Sequence, residues 1–143
     1  MKNLASRTVV FPRDLWDGGK NVFGGWIMGA MDSAASMTLQ TYLTSGALTV
    51  SVSNMHFKKP IHSGDVVTVY TEIIAVGNTS VTMSIDVKVR SKATNIEHSV
   101  TEAEFKFVAV DENTNPVPVK EVLHANVTDE DFLAMVYKGS NNG

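Results

Sequence analysis

A long segment with a single charged residue constrains the fold of this chain more than any other part of its sequence. Residues 22–46 read VFGGWIMGAMDSAASMTLQTYLTSG. Their apolar side chains cover most sides of a helix, which predicts one long buried helix with Gly46 as its C-terminal cap. Gly24, Gly25 and Gly29 each cost about 0.5–1 kcal/mol relative to alanine inside a helix. We therefore expect another backbone or a ligand to approach this helix closely.

The sequence after this helix alternates apolar and polar residues, as strands do when one face of an antiparallel sheet is buried. Short turns such as HSGD and GNTS separate the alternating runs. The predicted strands cover residues 47–60, with a break in phase near Asn54, and residues 66–76, 80–90 and 99–110.

The two ends of the chain add one element each. Residues 6–12 predict a short first strand that Pro12 ends, and TDEDFLAMVYK predicts a short C-terminal helix capped by Thr128. Residues 139–143 read as a flexible tail. One helix with about five strands is an α+β arrangement, so we expect a single domain over residues 1–143 in which a curved antiparallel sheet wraps the long helix.

The composition excludes several functional classes. A net charge of −3 gives no basic field for nucleic acid, and the absence of cysteine excludes disulfides, thiolate chemistry and cysteine–zinc sites. The four histidines lack a paired metal-ligand spacing, so we expect no metal. No apolar run has the length of a signal peptide or a membrane span, which predicts a cytoplasmic protein without a membrane partner.

Asp32 is the only charged residue of the predicted helix. A buried carboxylate without a partner costs several kcal/mol or gives up its charge, so its presence requires a reason. We interpret Asp32 as a general base that activates water or as a nucleophile toward a carbonyl; the alternative is a structural aspartate bonded to backbone or hydroxyl groups. At helical spacing its face also carries Gly25, Met28, Gly29, Ala35 and Ser36.

The glycine-rich segment GGKNVFGG leads into the helix, and backbone N–H groups at a helix start can hold an oxyanion. A flexible turn is the alternative interpretation. Gly24 and Asp32 are separated by eight residues, which is about 12 Å along one helix. Both groups must lie about 3 Å from the same carbonyl if they act together. We therefore predict a site across a two-fold dimer interface, with two sites per dimer.

The quoted motifs together resemble one family. VFGGWIMGAMD, LTVSVSNMHFKKPIHSGDVV, VGNTSV and TEAEFKFVAVD are similar to segments of the hotdog-fold acyl-CoA thioesterases, in the group of bacterial YciA-like and eukaryotic cytosolic acyl-CoA hydrolases. The resemblance covers about residues 7–119. It implies a hotdog fold, a homodimer joined sheet edge to sheet edge with further assembly into a trimer of dimers, and metal-free hydrolysis of acyl-CoA. It implies no cofactor, since coenzyme A is part of the substrate.

The resemblance also implies roles for individual residues. Asp32 takes the place of the family's helix aspartate, Thr49 that of the strand threonine which supports it, and Gly24 and Gly25 supply N–H groups near the carbonyl. In the loop before the helix, Asp17 lies nearest to the place of the family's asparagine, and Asn21 is the alternative for that role. The implied contacts with CoA are Lys59, Gly77, Asn78, Thr79, Ser80 and Arg90, and His56, which lies in a predicted strand, is a further candidate to line the substrate site.

Two other functions stay open. A hotdog enoyl-CoA hydratase or dehydratase needs a histidine beside the acid, for which His56 is the candidate, although a structural role for His56 is the alternative. A non-catalytic acyl-CoA-binding protein would have little need for a carboxylate in the helix.

Overall fold

The computed structural model describes residues 3–11, 14–16, 21–22 and 24–141. The described elements are two α-helices, seven strands and a short 3₁₀ helix, joined by loops and turns. In chain order they are β1 (Asn3–Val9), β2 (Leu15–Trp16), β3 (Asn21–Val22), α1 (Gly24–Gln40), β4 (Gly46–Phe57), β5 (Val66–Val76), β6 (Ser80–Arg90), β7 (Glu97–Val110), a 3₁₀ helix (Val119–Glu121) and α2 (Glu130–Asn141).

Five strands form one antiparallel sheet in the order β1-β5-β6-β7-β4, and β2 pairs with β3 in a separate ribbon. The predicted α+β class and the antiparallel sheet are confirmed. The face toward α1 is apolar because alternate residues of β6 and β7 point there. It carries Val81, Met83, Ile85, Val87 and Val89 of β6 and Ala103, Phe105, Phe107 and Ala109 of β7, all of which are buried.

The predicted C-terminal end of the long helix is wrong. The helix ends at Gln40, and Gly46 instead starts β4 and pairs with Val110. The chain turns at Thr41, whose hydroxyl donates to the carbonyl of Thr38, and the next residues join the C-terminal segment through a bridge between Leu43 and Leu123. The apolar residues after Gln40 are therefore apolar because they contact this segment, not because they are helical.

The long helix, which the sequence predicts to be apolar on most sides and buried, is buried on one side only in the single chain. Ile27, Met31, Ala34, Ala35, Thr38 and Leu39 face the sheet and are buried. The opposite side is exposed and carries Gly24, Gly25, Met28, Gly29, Ser33 and Met37. Ala35 thus lies on the buried side, away from the exposed face. One chain offers a single sheet, so it covers only one side of α1.

The C-terminal helix forms as predicted, but its cap is Asp129 and not Thr128. The Asp129 carboxylate accepts a hydrogen bond from the backbone N–H of Phe132 at 3.0 Å, and the Tyr42 hydroxyl donates to the same carboxylate at 3.0 Å. The hydrogen bonds from the Phe132 backbone and from Tyr42 lower the pKa of Asp129. The pKa of Tyr42 is raised, mainly because the side chain is partly buried and also because it contacts Asp129. The helix runs to Asn141, and the flexibility predicted for residues 139–143 stays a prediction.

Within the described ranges, every helix is too short or too polar to cross a membrane.

Candidate active site

Asp32 and Thr49 meet between the long helix and the edge strand of the sheet. The Thr49 hydroxyl donates a hydrogen bond of 2.6 Å to Oδ1 of Asp32. Thr49 pairs with Phe107, whose side chain is buried toward α1, so the pleat directs Thr49 to the same side. Asp32 is half-buried in the single chain and lies beside the exposed face of the helix. The carboxylate is therefore positioned by the fold and is open on one side.

The start of α1 borders a cavity of about 370 Å³. Gly24 is the first residue of the helix, and the Phe57 ring lies so close that a Cβ added to Gly24 would be 3.5 Å from Phe57 Cζ. The first N–H groups of an α-helix have no acceptor within the helix, so they can bind a group in this cavity. The cavity is lined by Asn21, Val22, Gly24, Ile27, Phe57, Lys58, Lys59, Pro60 and Ile61.

The structure describes only one of the two candidates for the role of the family's loop asparagine. Asn21 lies in β3, pairs with Trp16 and lines the cavity beside Gly24. Asp17 lies outside the described residues. The structure thus brings Asn21, Gly24 and Lys59 together around one cavity, which the sequence suggested only by analogy.

Asp32 does not share this cavity with the helix start of its own chain. The eight residues between Gly24 and Asp32 correspond to about 12 Å along α1. Gly24 and Asp32 also contact different residues of β4, since Phe57 lies against Gly24 and Thr49 binds Asp32. In a single chain, the carboxylate and the helix start are therefore two separate candidate half-sites.

The edge of the sheet next to both half-sites is long and apolar. β4 has 12 residues and forms one edge of the sheet, and Leu48, Val50 and Phe57 are 47%, 53% and 51% exposed. An edge strand offers unpaired backbone groups to another strand, and proteins usually shorten or charge such edges when they stay single. β4 is neither short nor charged over Gly46–Asn54, so this edge has the properties of a pairing surface.

The predicted CoA contacts fall at two ends of the sheet. The turn Gly77–Ser80 is held where β5 meets β6, with the N–H groups of Val119 and Ala109 bonded to the carbonyls of Asn78 and Thr79 at 2.8 Å each. Lys59 and Arg90 lie at the opposite end. The eleven-residue strand β6 separates the two ends by about 33 Å. A single chain does not bring the predicted contacts together.

Arg90 and His56 have partners in their own chain. Arg90 donates to the carbonyl of Asn95 at 3.2 Å and lies 3.9 Å from the carboxylate of Glu97, so it anchors the turn after β6. His56 pairs with Glu102 on the sheet face opposite α1, and its carbonyl accepts from the Thr101 hydroxyl. His56 is thus on the other side of the sheet from Asp32 of the same chain.

Sequence reasoning missed the apolar part of the cavity. Val22, Ile27, Pro60 and Ile61 close its walls, and Lys58 lines it while its ammonium lies 3.4 Å from Glu102. The only local signal was the position of Pro60 and Ile61 directly after the lysine pair. In the part of the chain that the structure describes, no three histidine, aspartate or glutamate side chains lie close enough together to hold a metal ion.

Comparisons with known proteins agree with this architecture. The thioesterase superfamily model matches residues 19–95. An uncharacterized acyl-CoA thioester hydrolase of Buchnera aphidicola subsp. Baizongia pistaciae is 41% identical, over 79% of this chain and 85% of that protein. The acyl-CoA thioester hydrolase YciA of Escherichia coli K12 is 37% identical, over 80% of this chain and 88% of that protein.

Among solved structures, a hexameric broad specificity acyl-coenzyme A thioesterase superposes with a TM-score of 0.78 at 31% identity, over 96% of this chain and 90% of that chain. The sheet order, the long helix and these relatives agree with one another, and the chain belongs to the thioesterase superfamily, with the hotdog fold.

Proposed function

We propose that this protein is an acyl-CoA thioesterase that hydrolyses acyl-CoA to a free carboxylic acid and coenzyme A. The observation that carries the proposal is the hydrogen bond between Thr49 and Asp32, which fixes a half-buried carboxylate beside the exposed face of α1 and next to an edge of the described sheet. The named relatives support the reaction, since YciA is an acyl-CoA thioester hydrolase and the aligned solved structure is a broad specificity acyl-coenzyme A thioesterase.

A homodimer completes the site. Antiparallel pairing of two β4 strands about a two-fold axis places the Thr49 end of one strand beside the Phe57 end of the other. Because Thr49 holds Asp32 and Phe57 contacts Gly24, the same pairing brings Asp32 of one copy toward the helix start of the second copy. The aligned broad specificity thioesterase is hexameric, which supports a trimer of dimers for this chain.

The reaction follows from these positions. The thioester carbonyl accepts hydrogen bonds from the N–H groups of Gly24 and Gly25 of one copy, which stabilise the developing oxyanion. Asp32 of the other copy takes a proton from water as the water oxygen bonds to the carbonyl carbon; the C–S bond then breaks and the CoA thiolate receives a proton. In the alternative route, Asp32 attacks the carbonyl carbon itself, the C–S bond breaks and CoA leaves as the thiolate, which takes up a proton; water then hydrolyses the resulting anhydride, which frees the carboxylic acid and regenerates Asp32. Neither route uses a metal or a further cofactor.

Asn21 and the CoA contacts complete the assignment. The Asn21 amide is suited to orient the carbonyl or the attacking water, because it lines the cavity beside Gly24. Asp17 stays a second candidate for this role. Pairing of β4 also brings the Gly77–Ser80 turn of one copy toward Lys59 and His56 of the other. Most of the predicted CoA contacts, which lie far apart in a single chain, are then close together. Arg90 is the outermost of these contacts.

A thiol-release assay over acyl-CoA substrates of increasing chain length tests the proposal. The wild-type protein should release CoA, and Asp32→Asn should not, while both bind CoA. Saturable CoA binding without release by the wild type would favour a non-catalytic acyl-CoA-binding protein. Hydration of an enoyl-CoA in place of hydrolysis would favour the hydratase, although His56 lies on the wrong face of the sheet in its own chain.

A further inference from the structure

Gly29 lies on the exposed side of α1, and its own chain does not explain why it is a glycine. A Cβ added at this position would have no heavy atom of another described element within 4 Å. Glycine inside a helix is less stable than alanine, so the position carries a cost without a packing reason in the single chain. Gly25 and Ser33, four residues to either side, are exposed as well. The described residues of the single chain therefore give no packing reason for Gly29.

The proposed reaction geometry locates a two-fold axis on the helix. If Asp32 of one copy and the helix start of the other flank the same carbonyl, symmetry places the axis midway between them. The midpoint of Gly24 and Asp32 is Met28, and the midpoint of Gly25 and Asp32 falls between Met28 and Gly29. Met28, at 39% exposure, lies at one side of the exposed face, and helical spacing places Gly29 nearer the centre of that face.

The edge strand gives a second estimate of the same axis. Thr49 binds Asp32, and Phe57 lies against Gly24, so these two strand residues should exchange places across the axis as Asp32 and Gly24 do. Their midpoint is Ser53. The strand has its register shift between Ser53 and His56, and Asn54 has φ 56°, a left-handed conformation that is uncommon for residues other than glycine. The register shift of β4 therefore begins beside this midpoint, and Gly29 of α1 lies within one residue of the helix midpoint.

We infer that Gly29 lies on the two-fold axis of the dimer, where the missing side chain lets the two α1 helices approach each other and sets the distance from Asp32 to the opposite helix start. Gly29 is thus a positioning residue, and this inference rests on the proposed function. A side chain at Gly29 would push the helices apart, because close-packed interfaces cannot absorb added volume without movement. A displacement of about 1 Å at a reacting centre can cost about 100-fold in rate.

Cross-linking tests the position of Gly29 without any enzyme assay. The chain contains no cysteine, so Gly29→Cys introduces a single thiol per copy. Two such residues on the axis come within the Cα–Cα range of about 4.4–6.8 Å that a disulfide needs. The control is Gln40→Cys, an exposed position on the same helix about 16 Å farther along, so that its two copies are about 33 Å apart. After mild oxidation, non-reducing electrophoresis should show a reducible dimer for Gly29→Cys alone.

Kinetics test the effect of Gly29 on the spacing. Gly29→Ala and Gly29→Leu should lower kcat by about 10-fold and about 100-fold with KM changed less than threefold. Gln40→Leu should retain the wild-type kcat. Far-UV circular dichroism should show the same helix content for Gly29→Ala and the wild type, which separates a spacing defect from a folding defect.

The two readouts keep this inference separate from the proposed function. CoA release by the wild type without cross-linking at Gly29→Cys, or equal cross-linking of Gly29→Cys and Gln40→Cys, would overturn the assignment of Gly29. Cross-linking at Gly29→Cys in a protein that releases no CoA would overturn the proposed function and leave Gly29 on the axis.

Discussion

The hydroxyl of Thr49 lies 2.6 Å from Oδ1 of Asp32 and joins the middle of α1 to the edge strand β4. A hydrogen bond to a carboxylate is stronger than one between neutral groups and fixes the rotation of the acid. The same contact links the acid to the strand that offers its backbone to a second copy. The geometry of the acid and the geometry of the dimer are therefore coupled through Thr49.

Replacing Asp32 by asparagine should abolish catalysis and preserve the fold. The amide has nearly the same shape but can neither accept a proton from water nor attack a carbonyl, so kcat should fall by about 10²–10⁴-fold. CoA product affinity, measured by calorimetry, should change less than threefold. Ser36→Ala, one turn away on the same helix, is the control and should keep normal turnover. A kcat of Asp32→Asn within tenfold of the wild type would refute the role of Asp32.

Replacing Thr49 by valine should lower kcat through Asp32. Valine has the shape of threonine without the hydroxyl, and a hydrogen bond to a charged group contributes about 1.5–3 kcal/mol, which corresponds to about 10- to 100-fold in rate. KM should stay near the wild-type value, since Thr49 does not contact CoA in the proposed site. Thr49→Ser keeps the hydroxyl and should restore most of the rate. Equal activity of the valine and serine variants would show that the hydrogen bond is irrelevant to turnover.

Local pattern predicted most of the sheet. The bounds of β5 and β6 agree with the predicted ranges, because strict alternation and the HSGD and GNTS turns mark both ends of each strand. The break in phase near Asn54 is a register shift in β4. Local pattern failed at Gly46, where the apolar residues after Gln40 continue a helical spacing for reasons of tertiary contact. It failed at Thr128 because Asp129, the next residue, is an equally good cap.

The candidate site could be predicted only in part. Asp32 stands out in the sequence because it is a lone charge in an apolar segment. Its contact with Thr49 joins residues 17 positions apart on different elements, and only the family resemblance suggested it. The distance between the Gly77–Ser80 turn and Lys59 could not be read from the sequence, since it depends on the sheet order and on a second copy.

Lys59 should contribute to substrate binding more than Lys58. Both lysines line the cavity at the helix start, but Lys58 is already paired with Glu102 at 3.4 Å. Lys59→Gln should raise KM for acyl-CoA by up to about tenfold, equivalent to about 1.4 kcal/mol, with a smaller effect at high salt because salt screens exposed charges. Lys58→Gln is the matched control and should change KM less. Steady-state kinetics at low and high salt check both; an equal effect of the two substitutions would contradict the assignment.

Asp129 should stabilise the protein in a pH-dependent way. Hydrogen bonds from the backbone of Phe132 and from Tyr42 lower its pKa from the ordinary value of 3.8. Because the pKa of Asp129 is lower in the folded protein than in the unfolded chain, the ionised carboxylate stabilises the fold at pH values above its unfolded-state pKa. This stabilisation is lost as the pH falls through the folded-state pKa. Asp129→Ala should lower the free energy of unfolding by about 1 kcal/mol at neutral pH through loss of the cap. The difference in this free energy between the variant and the wild type should narrow below about pH 4. Urea unfolding at several pH values measures this difference, with Thr128→Ala as the control. A difference that stays constant with pH would disprove the link between the pKa of Asp129 and stability.

The helix start can be tested by removing an N–H group and leaving the backbone in place. Proline is tolerated at the first position of a helix, so Gly24→Pro removes one N–H without breaking α1. Loss of one oxyanion donor costs about 10²–10³-fold in kcat. Gly24→Ala retains the N–H, and its Cβ makes an ordinary contact with Phe57 at 3.5 Å, so this variant should keep most of the activity. Comparable losses in the two variants would point to a steric effect and not to a donor.

A mixture of two inactive variants tests the shared site most directly. Asp32→Asn and Gly24→Pro chains are unfolded and refolded together, so that half of the dimers contain one chain of each kind. In each mixed dimer, Asp32 of the Gly24→Pro chain faces the intact helix start of the Asp32→Asn chain, so one of its two sites is complete. We predict that CoA release returns to about a quarter of the wild-type rate when dimers form statistically. A mixture as inactive as its two components would contradict a site built from two chains.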